Sequence, residues 1–298
     1  MKTLDLEALG AQRDAARRVR QGRERRRALV KHALLILTSF GMLYPLLWMI
    51  SSSFKPESEI FGNLSLLPSQ IVLNNYVDGW HALRVSFSTF YQNSFLIAIL
   101  AVIADLMACS ITAFAFARLD FRFKSFWFAL MLGTLMLPYH VTLVPQYVLF
   151  QNIGWVDSFL PLVVPKFLAV DAFFIFLMVQ FFRGIPREID EAARMDGCGP
   201  WRIYWRIMLP LSLPVMATAS IFSFIWTYDN FLGPLIYLND INLYTVPLAL
   251  RAFVDSSGLS AWGQLFAMST LSLVPLFIFF MFFQRLIIRG VATSAMKR

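Results

Sequence analysis

Cysteine and histidine are almost absent: two and three residues respectively in a chain of 298. Cys109 falls within an apolar run and Cys198 in a basic polar segment, so the two are poorly placed to form a disulfide. His32, His81 and His140 are far apart, and no Cys/His cluster offers a metal site. A Gly-rich phosphate loop of the Walker type is missing, as is any nucleophile–base constellation, so no catalytic residue is assigned and the chain is not expected to hydrolyse ATP. Charge is scarce as well. Charged residues make up 15% of the chain, against about one quarter in an ordinary soluble domain. Apolar residues take their place: 58% of the chain is hydrophobic, and phenylalanine alone contributes 30 residues.

These apolar residues form at least four runs of about 20, the length needed to cross a hydrocarbon layer roughly 30 Å thick. Backbone groups in lipid must be satisfied internally, and long runs without alternation favour spanning helices over a barrel. The expected fold is therefore an all-α integral membrane protein with six transmembrane helices, near 32–52, 91–117, 125–150, 157–182, 210–238 and 263–287. Pro138, Tyr139, His140 and Pro145 break the third, and Pro161, Pro165, Lys166 and Asp171 interrupt the start of the fourth. Lys166 and Asp171 lie near the outer end of that span, where snorkelling to the interface is the expectation.

Lysine and arginine set the orientation. The tail to Lys31, the 117–125 turn, the 183–209 loop and the segment from Arg285 together hold 22 of them, against three in the opposite segments, at Lys55, Arg84 and Arg251. This asymmetry predicts that both termini are cytoplasmic. Residues 1–31 read as a basic cytoplasmic tail, 32–290 as the membrane domain with a loop at 184–210, and 291–298 as a short basic tail. The arginines from Arg13 to Arg27 suit anionic lipid head groups beside a span better than nucleic acid, and no cleavable signal sequence is apparent.

The polar interruption from Gly184 to Pro210 is patterned too closely for a plain linker. Pro186 suits a first helical position, Ile189, Ala192 and Ala193 are expected on one face, and Gly197 is a natural stop. Gly199-Pro200 restarts a helix in which Trp201, Tyr204, Trp205 and Met208 follow helical spacing. In the fifth span, Asp229 and Asn230 are intramembrane polar residues and hence candidates for function.

Within this loop Glu191-Ala192-Ala193, three residues, Gly197, nine residues, Ile207, one residue and Leu209-Pro210 reproduce the spacing of the "EAA" signature. The chain resembles the permeases of bacterial ATP-binding-cassette importers, and in particular the six-span second permease of maltose-type carbohydrate transporters. Ser53-Phe54-Lys55, Phe114-Ala115-Phe116-Ala117-Arg118 and the stretch from Trp226 to Leu235 add to the likeness, which runs from about Leu34 to Lys297. In the fifth span Tyr228-Asp229-Asn230-Phe231 departs from the usual Trp-Asn-Asp-Phe by exchanging Asn and Asp.

The resemblance implies the type I importer fold in a bacterial inner membrane and a non-catalytic role in sugar uptake. It implies a heterodimer with a second, homologous permease, two ATPase subunits that bind ATP and Mg, and an extracytoplasmic sugar-binding protein. This chain itself would bind no cofactor. Glu191, Ala192, Ala193, Gly197, Ile207, Leu209 and Pro210 would form the ATPase-coupling loop. Tyr228, Asp229 and Asn230 would lie on the substrate pathway. The small-residue stretches 101–117 and 216–223 are expected to pack on the partner permease. An ion-coupled secondary transporter would also account for six spans and a buried Asp229.

Overall fold

The computed structural model describes residues 2–63, 65–256 and 261–295, with side chains described for 24–63, 65–254 and 261–284. Among these residues every regular element is helical. The chain divides into two units, Met1–Val72 and Leu73–Arg298.

In the first unit, α1 (Lys2–Ser52) is one helix of 51 residues that passes without a break through the expected tail–span boundary at 31–32. Its part from Glu24 to Ser52 is long and apolar enough to cross a membrane. The turn after it is closed by Lys55, whose Nζ donates to the carbonyls of Asn63 and Ser65, and by a bond from Val72 N–H to the Phe54 carbonyl at 2.8 Å. The ammonium proton donors thus satisfy carbonyls that a loop cannot pair by itself.

The second unit is built around α3. A short helix, α2 (Asn74–His81), precedes α3 (Phe87–Arg118), which runs for 32 residues. Next come α4 (Lys124–Thr134) and α5 (Tyr139–Asn152). Leu160–Val163 and a 3-10 turn, Val164–Leu168, lead into α6 (Ala172–Arg183). After α7 (Glu188–Met195) the chain re-enters through Pro200–Leu211 into α8 (Leu213–Tyr228). The last elements are α9 (Leu232–Tyr237), α10 (Val246–Ser256) and α11 (Trp262–Ala295). Of the expected C-terminal tail, 291–295 continue α11, and 296–298 lie outside the described residues.

Four segments are long and apolar enough to span: Glu24–Ser52, Phe87–Arg118, Leu160–Arg183 and Trp262–Gln284. The count reaches six when two bent pairs are each taken as one span. The third expected span is not straight, because α4 and α5 meet at 99°. Pro138, which lacks a donor N–H, sits at the elbow, and Leu135, Met136 and Leu137 close it with tight bonds back to Leu132, Gly133 and Thr134. The fifth has a 76° elbow before Leu213. Its helix also stops at Tyr228, before the expected end at 238, and resumes at Leu232.

Helix α3 packs against α6 and α8, and α8 packs against α11. Ala98, Ala101, Ala104 and Ala113 of α3 are fully buried, as is Ala219 of α8, with Ala217, Ser220 and Ser223 close to it in burial. Small side chains let the two backbones approach. The stretches 101–117 and 216–223, expected to meet a partner permease, are thus largely used within this chain.

Candidate functional site

The 184–210 loop forms two helical arms joined by a tight turn. In α7, Asp190 and Ala193 are buried, Ile189 is partly buried, and Glu188, Glu191, Ala192 and Arg194 face outward. Ala192 therefore does not share the packed face expected with Ala193. The packed positions are three apart, and beyond the turn the partly buried Cys198 packs against the same core.

The turn closes with the hydrogen bonds of a Schellman motif. Gly197 N–H donates to the Arg194 carbonyl at 3.0 Å, and Cys198 N–H to the Ala193 carbonyl at 2.9 Å. Gly197 has φ +77°, and a Cβ added there would meet nothing within 4 Å. Glycine is favoured at this position by backbone conformation alone, since the space for a side chain exists.

The second arm begins at Pro200, with Gly199 extended before it, and passes through a π-helical turn at Tyr204–Met208. Tyr204 and Met208 are buried, whereas Trp201 and Trp205 are 63% and 51% exposed. Ile207 and Leu209 pack partly against the same core, and Pro210 is exposed. The expected aromatic face is thus divided between the core and the surface.

Two pairs of residues outside the signature hold the loop in place. Arg118, the last residue of α3, forms an ion pair with Asp190 (Nε to Oδ2, 3.1 Å), and their side chains are 3% and 7% exposed. The same guanidinium donates from Nη2 to the Ile185 carbonyl at 2.7 Å. On the other arm, the Tyr204 hydroxyl and Ser110 Oγ of α3 are 2.6 Å apart and buried. Sequence reading placed Arg118 in a resemblance motif without a role, and it passed over Asp190. The only available signal was a charge beside Glu191 in a helix short enough that every position matters.

A second polar cluster lies farther along α3. Asp105 is fully buried and accepts from Ser223 of α8 at 2.5 Å. Lys166 Nζ donates to Asp105 Oδ2 at 3.3 Å and to Asp171 Oδ2 at 2.9 Å. Snorkelling was the expectation for Lys166 and Asp171, but the ammonium is turned into the protein. The 3-10 turn and the left-handed Ala169 (φ 56°) that follow Lys166 bring it and Asp171 to one side of the break.

The three residues of the fifth span diverge. Tyr228 is buried, with its ring stacked on Phe224 (centroids 5.7 Å) and against Phe95 (5.8 Å). Asp229 is exposed in the unwound turn after α8, rather than buried in a span. Asn230 accepts from Gly233 N–H at 3.1 Å and so caps the start of α9.

On the other side of this break, Asp157 bridges two connections. Its N–H donates to the Tyr237 carbonyl at 2.7 Å, and its Oδ1 accepts from Asn239 N–H (2.9 Å) and Asp240 N–H (3.0 Å). The amides of Asp240 and Asn239 hold this carboxyl below the usual carboxylate range.

Proteins similar to this chain in sequence are named as transport permeases. The chain is 34% identical over 263 residues to the probable ABC transporter permease protein YurM of Bacillus subtilis, covering 88% of this chain and 86% of that one. It is 32% identical over 262 residues to the arabinooligosaccharides transport system permease protein AraQ of Halalkalibacterium halodurans, covering 87% and 92%. Among solved structures, a chain of a bacterial ABC transporter involved in the import of the acidic polysaccharide alginate superposes with a TM-score of 0.77 at 22% identity, over 87% of this chain and 95% of that one. The family match covers residues 21–293, so it begins inside the basic tail rather than at Leu34. With the loop, the apolar helices and the relatives in agreement, the chain belongs to the family described as the binding-protein-dependent transport system inner membrane component.

Proposed function

We propose that this chain is one of two permease subunits of an ATP-driven sugar importer and that the 184–210 loop is where it engages the ATPase. The carrying observation is the division of α7: Asp190 and Ala193 anchor it, while Glu191 and Ala192 remain on the outside. A helix held on one face and presented on the other is suited to seating in a partner's groove, with a small Ala192 for close approach and the Glu191 carboxylate for a basic partner residue. Gly197, Ile207, Leu209 and Pro210 serve this face by fixing the turn and the re-entry of the chain.

In this reading the bent pairs each count as a span, both termini are cytoplasmic, and the membrane domain occupies 32–290 between the two basic tails. Two ATPase subunits carry ATP and Mg. A second permease completes the pathway, and an extracytoplasmic binding protein delivers the substrate. The sugar class is supported by the resemblance of the Ser53-Phe54-Lys55 and Trp226–Leu235 motifs and by the arabinooligosaccharide relative. Asp229, open in the unwound turn, is the substrate-pathway candidate with an accessible side chain, while Tyr228 and Asn230 shape the turn around it.

The test is co-purification. Glu191→Lys places a cation on the outward face without touching a buried residue, and the expected result is normal membrane insertion with loss of the ATPase subunits. Retention of the ATPase by this variant would remove the outward face of α7 from the contact, and uptake that continues when the ATPase's ATP site is disabled would favour the ion-coupled transporter instead.

A further inference from the structure

Both arms of the loop are joined to the same helix, and neither joint uses the outward residues. The first arm is held by Arg118–Asp190 and by the Arg118 bond to the Ile185 carbonyl, where the chain leaves α6. The second is held by Ser110–Tyr204. Ser110 also directs its hydroxyl to the Leu106 carbonyl, which leaves Tyr204 as the donor between them. Apolar contacts fill the space between the two joints: Ala193, Ile203 and Met208 share a core with Ala113, Phe114 and Ala117 of α3.

A buried ion pair is a poor source of stability, because desolvation offsets most of the attraction, and well-packed apolar side chains would hold the loop as firmly. An ion pair with an added carbonyl contact differs from apolar packing in being directional. It fixes how α7 is turned relative to the end of α3, which an apolar contact permits to slide. Asp190 Oδ1 has no hydrogen-bond partner among the described residues, so the carboxylate depends on Arg118 for its compensation.

We infer that Arg118 and Asp190, together with Ser110 and Tyr204, are positioning residues that make the loop and α3 move as one body, so that ATPase motion enters the membrane domain through α3. The inference rests on the coupling role proposed above. It gives α3 a second part in the mechanism, because the same helix carries Asp105, bonded to Lys166 before α6 and to Ser223 of α8. A displacement of α3 therefore reaches both neighbours through directional contacts.

The experiment uses the complete importer in proteoliposomes, with spin labels at the exposed positions Met107 on α3 and Glu188 on α7. In the wild-type background the distance between them is expected to be the same without nucleotide and with ATP and vanadate. A bimane at Met107 should nevertheless change its fluorescence on adding ATP and vanadate. Arg118→Gln should keep the ATPase subunits bound but lose both the fixed distance and the fluorescence response. The exchange Arg118→Asp with Asp190→Arg should restore them, whereas neither reversal alone does.

A wild-type distance that shifts with nucleotide would overturn the inference, as would an Arg118→Gln variant that behaves like wild type. Failure of Arg118→Gln to insert, with no rescue by the exchange, would also overturn it by making the pair a folding element. Failure of the coupling reading is separable. It would appear as a wild-type chain that never retains an ATPase, whatever the label distances.

Discussion

Ser223 and Asp105 meet across α8 and α3 inside the membrane domain, with the serine hydroxyl 2.5 Å from a carboxylate oxygen of a fully buried aspartate. Lys166 reaches the same oxygen at 3.3 Å and Asp171 at 2.9 Å, so one ammonium compensates two carboxylates.

Removing that ammonium should therefore cost more than removing a carboxylate. Lys166→Met leaves Asp105 without a cation, and the loss expected for breaking a buried pair on one side is about 3–5 kcal/mol. Asp105→Asn in the same chain should recover part of it. Thermal unfolding in detergent, followed by size-exclusion chromatography, measures this. A Lys166→Met variant as stable as wild type would remove the cluster from any account of how α3, α6 and α8 are held.

At Gly197 the cost is conformational. Because a Cβ there meets nothing within 4 Å, Gly197→Ala should lose roughly 1 kcal/mol for the positive φ. Gly197→Asn should lose less, since asparagine tolerates the left-handed region. Proteolytic nicking of the loop in membranes reports the difference, with the order Gly, Asn, Ala from least to most susceptible. A reversed order would mean that side-chain contact, not φ, governs the turn.

Asp157 gives a pH dependence with a defined sign. Its folded carboxyl lies below the ordinary range because the amides of Asp240 and Asn239 donate to it. The stabilisation is present above the ordinary carboxylate value and is lost as pH falls through the lower, folded value. Hydrogen exchange at Asn239 and Asp240, corrected for intrinsic rates, should lose protection over that acidic window. In Asp157→Asn, which keeps an acceptor oxygen but not the charge, the pH dependence should vanish. Persistence of the same dependence in that variant would assign it elsewhere.

Helicity, the long second span and the two arms of the loop were legible because each is a local pattern: an apolar run, a proline at a helix start, a glycine at its end. What escaped was pairing. Nothing along the chain marks Arg118 as the partner of Asp190, or Lys166 as the counter-ion of Asp105, because each pair joins segments that meet only after packing. The same reason explains the alanines of α3. Small residues signal close approach but not whether the approaching helix is the chain's own α8 or another subunit. Pro138 announced a break in the third span without stating its angle, which depends on how Leu135 to Leu137 rebond around it.

The two joints on α3 also set a rule for chain length. Asp190 and Tyr204 must both reach fixed points on a single helix, at Arg118 and Ser110. One residue added inside the helical part of either arm would turn the residues beyond it by about 100° and advance them roughly 1.5 Å, carrying Asp190 or Tyr204 away from its partner on α3. The helical stretches 190–195 and 200–204 are thus where geometry opposes insertions and deletions, whereas the exposed turn at Asp120–Arg122, which bears neither joint, has no such constraint. Among related chains, the spacing between the two arms should vary less than the identity of the residues that occupy it.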